Sequence, residues 1–134
     1  MRDTEIKQLR DQDLYETYKR VLREGQFSSM REAADYARLQ PASQFYISAR
    51  EAASHIGKIL SCKSLIDLNL QSRRKVWQLY EMYEQYLREH PDNTLSRERI
   101  LELLVACPAP EFYLSVDRAK HIIVYEQRKV RQKR

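Results

Sequence analysis

Apolar residues recur at three- and four-residue steps through most of this 134-residue chain, the spacing of one face of an α-helix. Leu14, Tyr18, Val21 and Leu22 share one such face, and Leu79, Tyr83, Tyr86 and Leu87 share another. Ser29, with Glu32 three residues on, is a capping-box pattern that predicts the start of a second helix. Ser96 predicts its counterpart, with Leu95 and Ile100 at the positions of a hydrophobic staple. Both of these helices must stop before Pro41 and Pro108, because proline disfavours a helical residue ahead of it. Phe45-Tyr46-Ile47 and Phe112-Tyr113-Leu114 follow, with the β-branched and aromatic bias of extended chain. Ser48 and Ser115 then cap a third helix, and Ile47 and Leu114 can staple onto Ala52 and Ala119.

The same order of signals appears twice. PASQFYIS at 41–48 returns as PAPEFYLS at 108–115. LYETYKRVLRE at 14–24 matches LYEMYEQYLRE at 79–89 in seven of eleven positions, at an offset of 65. Ser29 through Ile56 matches Ser96 through Ile123 in eight of twenty-eight, at an offset of 67. The two extra residues fit at Pro91 and Asp92, in a loop where insertion costs little. The expected fold is therefore all-α, with two tandem three-helix repeats, helix-turn-helix-like in order. Residues 1–60 form the first repeat, 61–72 a helical or irregular connector, 73–125 the second repeat and 126–134 a basic C-terminal extension. Asn69 or Ser72 is the expected cap of the long helix that opens the second repeat. Trp77 on that helix matches Gln12, and packing between the two repeats is its expected role.

Composition agrees with helix: two glycines, four prolines and nine tyrosines in the whole chain. No apolar run approaches the roughly 20 residues that span a bilayer, and MRDTEIKQLRDQD is charged rather than signal-like, so a soluble cytoplasmic protein is expected. Cys62 and Cys107 occupy unmatched positions without metal-ligand spacing, and read as reduced thiols with a preference for burial. The net charge of +5 is uneven. Residues 14–58 carry +2, 59–78 carry +3 and 79–125 carry −3, while Arg128, Lys129, Arg131, Lys133 and Arg134 supply +5. A polyanion should find the first repeat, the connector and the tail, and the second repeat least.

Catalytic patterns are missing. Gly25 and Gly57 sit in no phosphate-cradling run, and His55, His90 and His121 have no metal partner at i+4. No catalytic residue, cofactor or metal ligand is expected. Two trios with capped third helices resemble, in helix order, the tandem helix-turn-helix DNA-binding proteins of phages and mobile elements. The resemblance implies a third helix in the major groove and two units reading half-sites about one helical turn apart. On that reading Arg50, Ser54, His55 and Lys58 reach base edges or phosphates, with Arg118 and Lys120 in the second repeat. Arg73, Arg74 and Lys75, and the terminal Arg128, Lys129, Arg131, Lys133 and Arg134, suit phosphates. The role would be regulation, recombination or packaging, and single-stranded DNA or RNA is a variant that exposed tyrosines permit. The competing class is an assembly module that self-associates or binds a protein through Tyr80, Tyr83 and Tyr86.

Overall fold

The computed structural model describes residues 3–133, and these are helical apart from one isolated bridge and the links between helices. Six helices follow in order: α1 (Asp3–Glu24), α2 (Met30–Arg38), α3 (Ala49–Leu60), α4 (Leu70–Glu89), α5 (Arg97–Val105) and α6 (Val116–Gln132). Five of them begin where a small polar side chain takes up an otherwise unpaired N–H of the first turn. Ser29, Ser48, Asn69, Ser96 and Ser115 accept from the N–H of Glu32, Glu51, Ser72, Arg99 and Arg118. Glu32 reaches back one residue further than the capping box predicts, accepting from the N–H of Ser28 at 2.9 Å. Leu70 to Ser72, expected in the connector, already belong to α4. The basic extension is likewise a continuation of α6 and not a separate tail. Arg134 lies outside the described residues.

The packing of these helices departs from two self-contained trios. α6 lies against α1 and α2, whereas α3 lies against α4 and α5. No packing joins α3 to α1 or α2, nor α6 to α4 or α5. Each half of the chain therefore completes the other half with its third helix.

Side-chain volume explains the exchange. α2 buries only alanines, Ala33, Ala34 and Ala37, where α5 buries Ile100, Leu101 and Leu104. α3 and α6 share a buried alanine and isoleucine, Ala52 with Ile56 and Ala119 with Ile123. α6 is bulkier, with Ile122 and Val124 at the positions of His55 and Gly57. Thin α2 thus meets thick α6, and thick α5 meets thin α3. The opposite pairing would leave voids in one trio and overfill the other, and either fault costs kilocalories.

The repeated phrase is the crossing point. Ala42 and Ala109 exchange two antiparallel backbone hydrogen bonds, at 2.9 and 3.0 Å. Three residues on, Phe45 N–H donates to Val105 and Phe112 N–H donates to Arg38, both at 3.0 Å. Phe45 stacks on Tyr113 and Tyr46 on Phe112, with ring centroids 6.2 and 6.4 Å apart. The paired links place core residues of both halves in one continuous cluster.

Several inward positions differ from the periodic reading. Leu22 and Leu87 end their faces exposed, because each falls beyond the last packed turn of its helix. Ile122 is buried because α6 faces α1 and α2. Trp77 is 47% exposed and sits edge-on to Tyr80 at 5.5 Å instead of between the halves. Cys62 is exposed in the connector, and both cysteines are free.

Candidate nucleic-acid interface

Exchange of the third helices rearranges the charge. Helices α1, α2 and α6 hold twelve basic and ten acidic residues, and α3, α4 and α5 hold eight and six. Both trios are +2, so the contrast between a basic and an acidic repeat does not survive folding. What differs is where the charge faces.

On α6 the buried positions Ala119, Ile122, Ile123 and Glu126 turn one stripe toward α1 and α2. Helical spacing then sends Lys120, Arg128 and Arg131 to the opposite side, with His121 and Tyr125 between them. All five are exposed; none of the three cations forms an ion pair among the described residues, although the Asp117 carboxylate feels the charge of Lys120. Asp117 interrupts this row but is held by Arg31 of α2, an ion pair that keeps the Asp117 carboxyl below its usual range. Arg31, Lys120, His121, Tyr125 and Arg128 line one shallow groove of about 460 Å³. Further along, Lys129 turns back to Glu126 at 3.3 Å and rests over the Tyr125 ring at 5.1 Å. Lys133 is exposed at the end of the helix.

On α3 the matched surface has another character. Arg50 and Ser54 line a groove that also receives Asp3, Glu51, Glu98 and Glu102. The charges at the positions matched to that ion pair are reversed in sign: Arg50 stands where Asp117 does, and Glu98 where Arg31 does. His55 is turned inward, with 12% of its side chain exposed and its Nε2 3.5 Å from Glu51. Lys58 is half-buried.

The connector cations are largely taken up by the protein itself. Arg74 grips Glu111 with two hydrogen bonds of 3.0 and 2.7 Å and lies 5.6 Å from the centre of the Tyr113 ring. That carboxylate holds the Arg74 pKa above its ordinary value. Arg73 is half-buried, with its Nε enclosed and without a hydrogen-bond acceptor among the described residues. Lys75 points back toward α1, donates to the Tyr46 carbonyl at 3.2 Å, and has its pKa lowered to about 8 by burial and then by the charge of Arg10.

Of the expected cations, the structure therefore brings Lys120, Arg128 and Arg131 together and leaves Arg50, Arg73 and Arg74 apart from them. Lys75 and Arg118 meet in a different groove, alongside Lys7 and Arg10 of α1. His121 falls on the outward face that helical period gives the third helix, whereas nothing in the sequence points to Arg31, because α2 and α6 are distant in the chain and only the exchange makes them neighbours. The tyrosines expected to form a binding face divide as well: Tyr83 is in the core, Tyr86 stacks on His90 at 4.1 Å, and Tyr80 leans on Trp77. Among the described residues no group of His, Cys, Asp and Glu is placed to hold a metal ion, and no helix is long and apolar enough to cross a membrane. Protein-family models, curated proteins and solved structures offer no match to this chain.

Proposed function

We propose that this chain is a non-enzymatic DNA-binding protein, a fused duplication folded as an intramolecular pseudo-dimer. The observation that carries the reading is the outward row of α6, where Lys120, Arg128 and Arg131 stand exposed and form no ion pair among the described residues. In a three-helix unit the helix laid against the other two is the one that enters a major groove. Here that unit is α1, α2 and α6, a helix-turn-helix-like trio assembled from both halves. Tyr125 and His121 lie between the cations, so apolar and hydrogen-bonding contacts to base edges flank the contacts to phosphate. α3 takes no equal part, since acidic side chains share its groove.

The test is the salt dependence of binding to a random duplex, measured by fluorescence anisotropy. Each phosphate that the protein no longer neutralises lowers the slope of log K against log salt by about 0.9. The triple variant K120Q/R128Q/R131Q should weaken binding and lower that slope by about three, while R50Q should leave it unchanged. A chain that ignores duplex DNA at low salt, or a triple variant with the parent slope, overturns the reading.

A second reading, self-association or a protein partner, draws on a different surface. Trp77, Leu70 and Ile66 are exposed by 47, 60 and 76%, and half-buried Tyr80 flanks the tryptophan. Exposed aromatics of this kind anchor interfaces. A dimer in gel filtration that dissociates on W77A favours it over DNA binding.

A further inference from the structure

We propose that the groove where α1, α4 and α6 converge is a binding site for a small phosphate-bearing anion, held by Lys7, Arg10, Lys75 and Arg118. The groove encloses about 720 Å³, and its lining includes those four cations, Ser72, Ser115 and no carboxylate. It lies beside the first turns of two long helices, α4 at Leu70 and α6 at Ser115, whose N-terminal ends carry partial positive charge.

Two of the four cations form no ion pair among the described residues, and the other two are compensated in part. Lys7 and Arg118 have no ion-pair partner among the described residues. Arg10 donates from Nε to Asp11 at 3.0 Å, and its buried Nη2 lies 3.0 Å from the same carboxylate oxygen, an ion pair without hydrogen-bond alignment. Lys75 donates to the Tyr46 carbonyl and feels the Glu51 charge from the neighbouring groove. Burial, and then the nearby Arg10 charge, press the lysine to lose its proton, and Glu51 offsets this only in part. A bound anion removes that penalty and receives charge-assisted hydrogen bonds from at least two directions.

The molecule contains its own control. At the offset that aligns the halves, Arg10 matches Lys75, Ser48 matches Ser115, and Glu51 matches Arg118. A second groove, of about 260 Å³, uses the same Lys7, Arg10, Ser72 and Lys75 from its other side, but is closed by Glu51 and Asp3. In that groove the protein supplies the negative charge. Where Arg118 replaces the carboxylate, the negative charge has to come from a ligand. A phosphate group suits the site because lysine, arginine and hydroxyl donors surround it from three helices. A free small molecule, rather than a nucleic-acid backbone, suits a concave seat on the side of α6 that carries Arg118, away from the Lys120–Arg131 row. The proposal does not depend on DNA binding.

Titration of the full chain with sodium pyrophosphate, by calorimetry at fixed ionic strength, tests it. Saturable binding to one site is expected, weakened about tenfold or more by K7E and by R118E, each of which removes a charge-assisted hydrogen bond. Both residues are exposed, so circular dichroism should report an unchanged fold. K120Q/R128Q should bind pyrophosphate within about twofold of the parent, because a tenfold loss needs about 1.4 kcal/mol of direct interaction. Absence of saturable binding, parent affinity in both K7E and R118E, or an equal loss in K120Q/R128Q overturns the proposal. The last outcome would reveal general surface charge and not a site.

Discussion

The trio α1, α2 and α6 and the trio α3, α4 and α5 share a plan and differ in filling and in surface. The first buries small side chains on its second helix and large ones on its third, and the other reverses this order. The first sets Arg31, Lys120 and Arg128 around a single carboxylate, Asp117, while the second mixes Arg50 with Glu51, Glu98 and Glu102. At the crossing, Tyr113 adopts a left-handed φ of 57°, costly for a bulky residue, and Tyr46 does not. Tyr46 instead donates its hydroxyl to Asp13 at 2.6 Å, whereas the Tyr113 ring lies beside Arg74. The two halves thus differ wherever the partner half supplies the complementary volume or charge.

The most severe test of this interleaving is to cut the connector. Fragments 1–64 and 65–134 should each be largely unfolded by circular dichroism, since each lacks the third helix that covers its core. Mixing them should restore helicity and a cooperative transition. Two fragments that fold separately and ignore one another would break the comparison at its root.

A smaller effect should sharpen it. Leu101→Ala in α5 leaves a cavity and should cost about 2–5 kcal/mol by urea denaturation. At the matched site in α2 the natural residue is already alanine, and Ala34→Leu should overfill the trio for about 1–3 kcal/mol. If Ala34→Leu is neutral, α2 and α6 are not packed to capacity and the volume argument for the exchange fails.

The mildest test concerns Lys75, which reaches from α4 toward α1. A lysine whose pKa falls from 10.5 to about 8 on folding binds fewer protons in the folded state between those values. Its charge therefore costs stability in full below pH 8, and the cost is relieved as pH rises through 8 toward 10. Tyr113, whose pKa burial raises to about 12, lowers stability as pH climbs from 10 toward 12, and so takes no part in the rise between pH 8 and 10. Stability between pH 8 and about 10 should rise less in K75M than in the parent. Equal slopes in thermal melts would show that Lys75 remains charged and solvated.

Much of the fold was legible locally. Serine and asparagine before apolar stripes marked five helix starts, and prolines marked two helix ends, because caps and ring sterics act within a few residues. Ala52, Ile56, Ala119 and Ile123 were identified as inward by period alone. The site was less legible. Arg74 looked available until Glu111, 37 residues away, was found to hold it, and the groove at Lys7 and Arg118 joins residues more than a hundred positions apart. His55 fell on an expected outward position, yet it is covered in the groove that it shares with Lys7, Arg10 and Lys75.

By itself the sequence determined six helices, their caps and the stripes they bury, because each of these is settled over one or two turns. The partner of each third helix was decided only in three dimensions. Ten residues separate α2 from α3, and ten separate α5 from α6. An extended link of that length spans up to about 30 Å, enough to reach either trio. Local signals are the same for both destinations, so the choice rests on which pairing fills the core, and that choice also set which cations stand together.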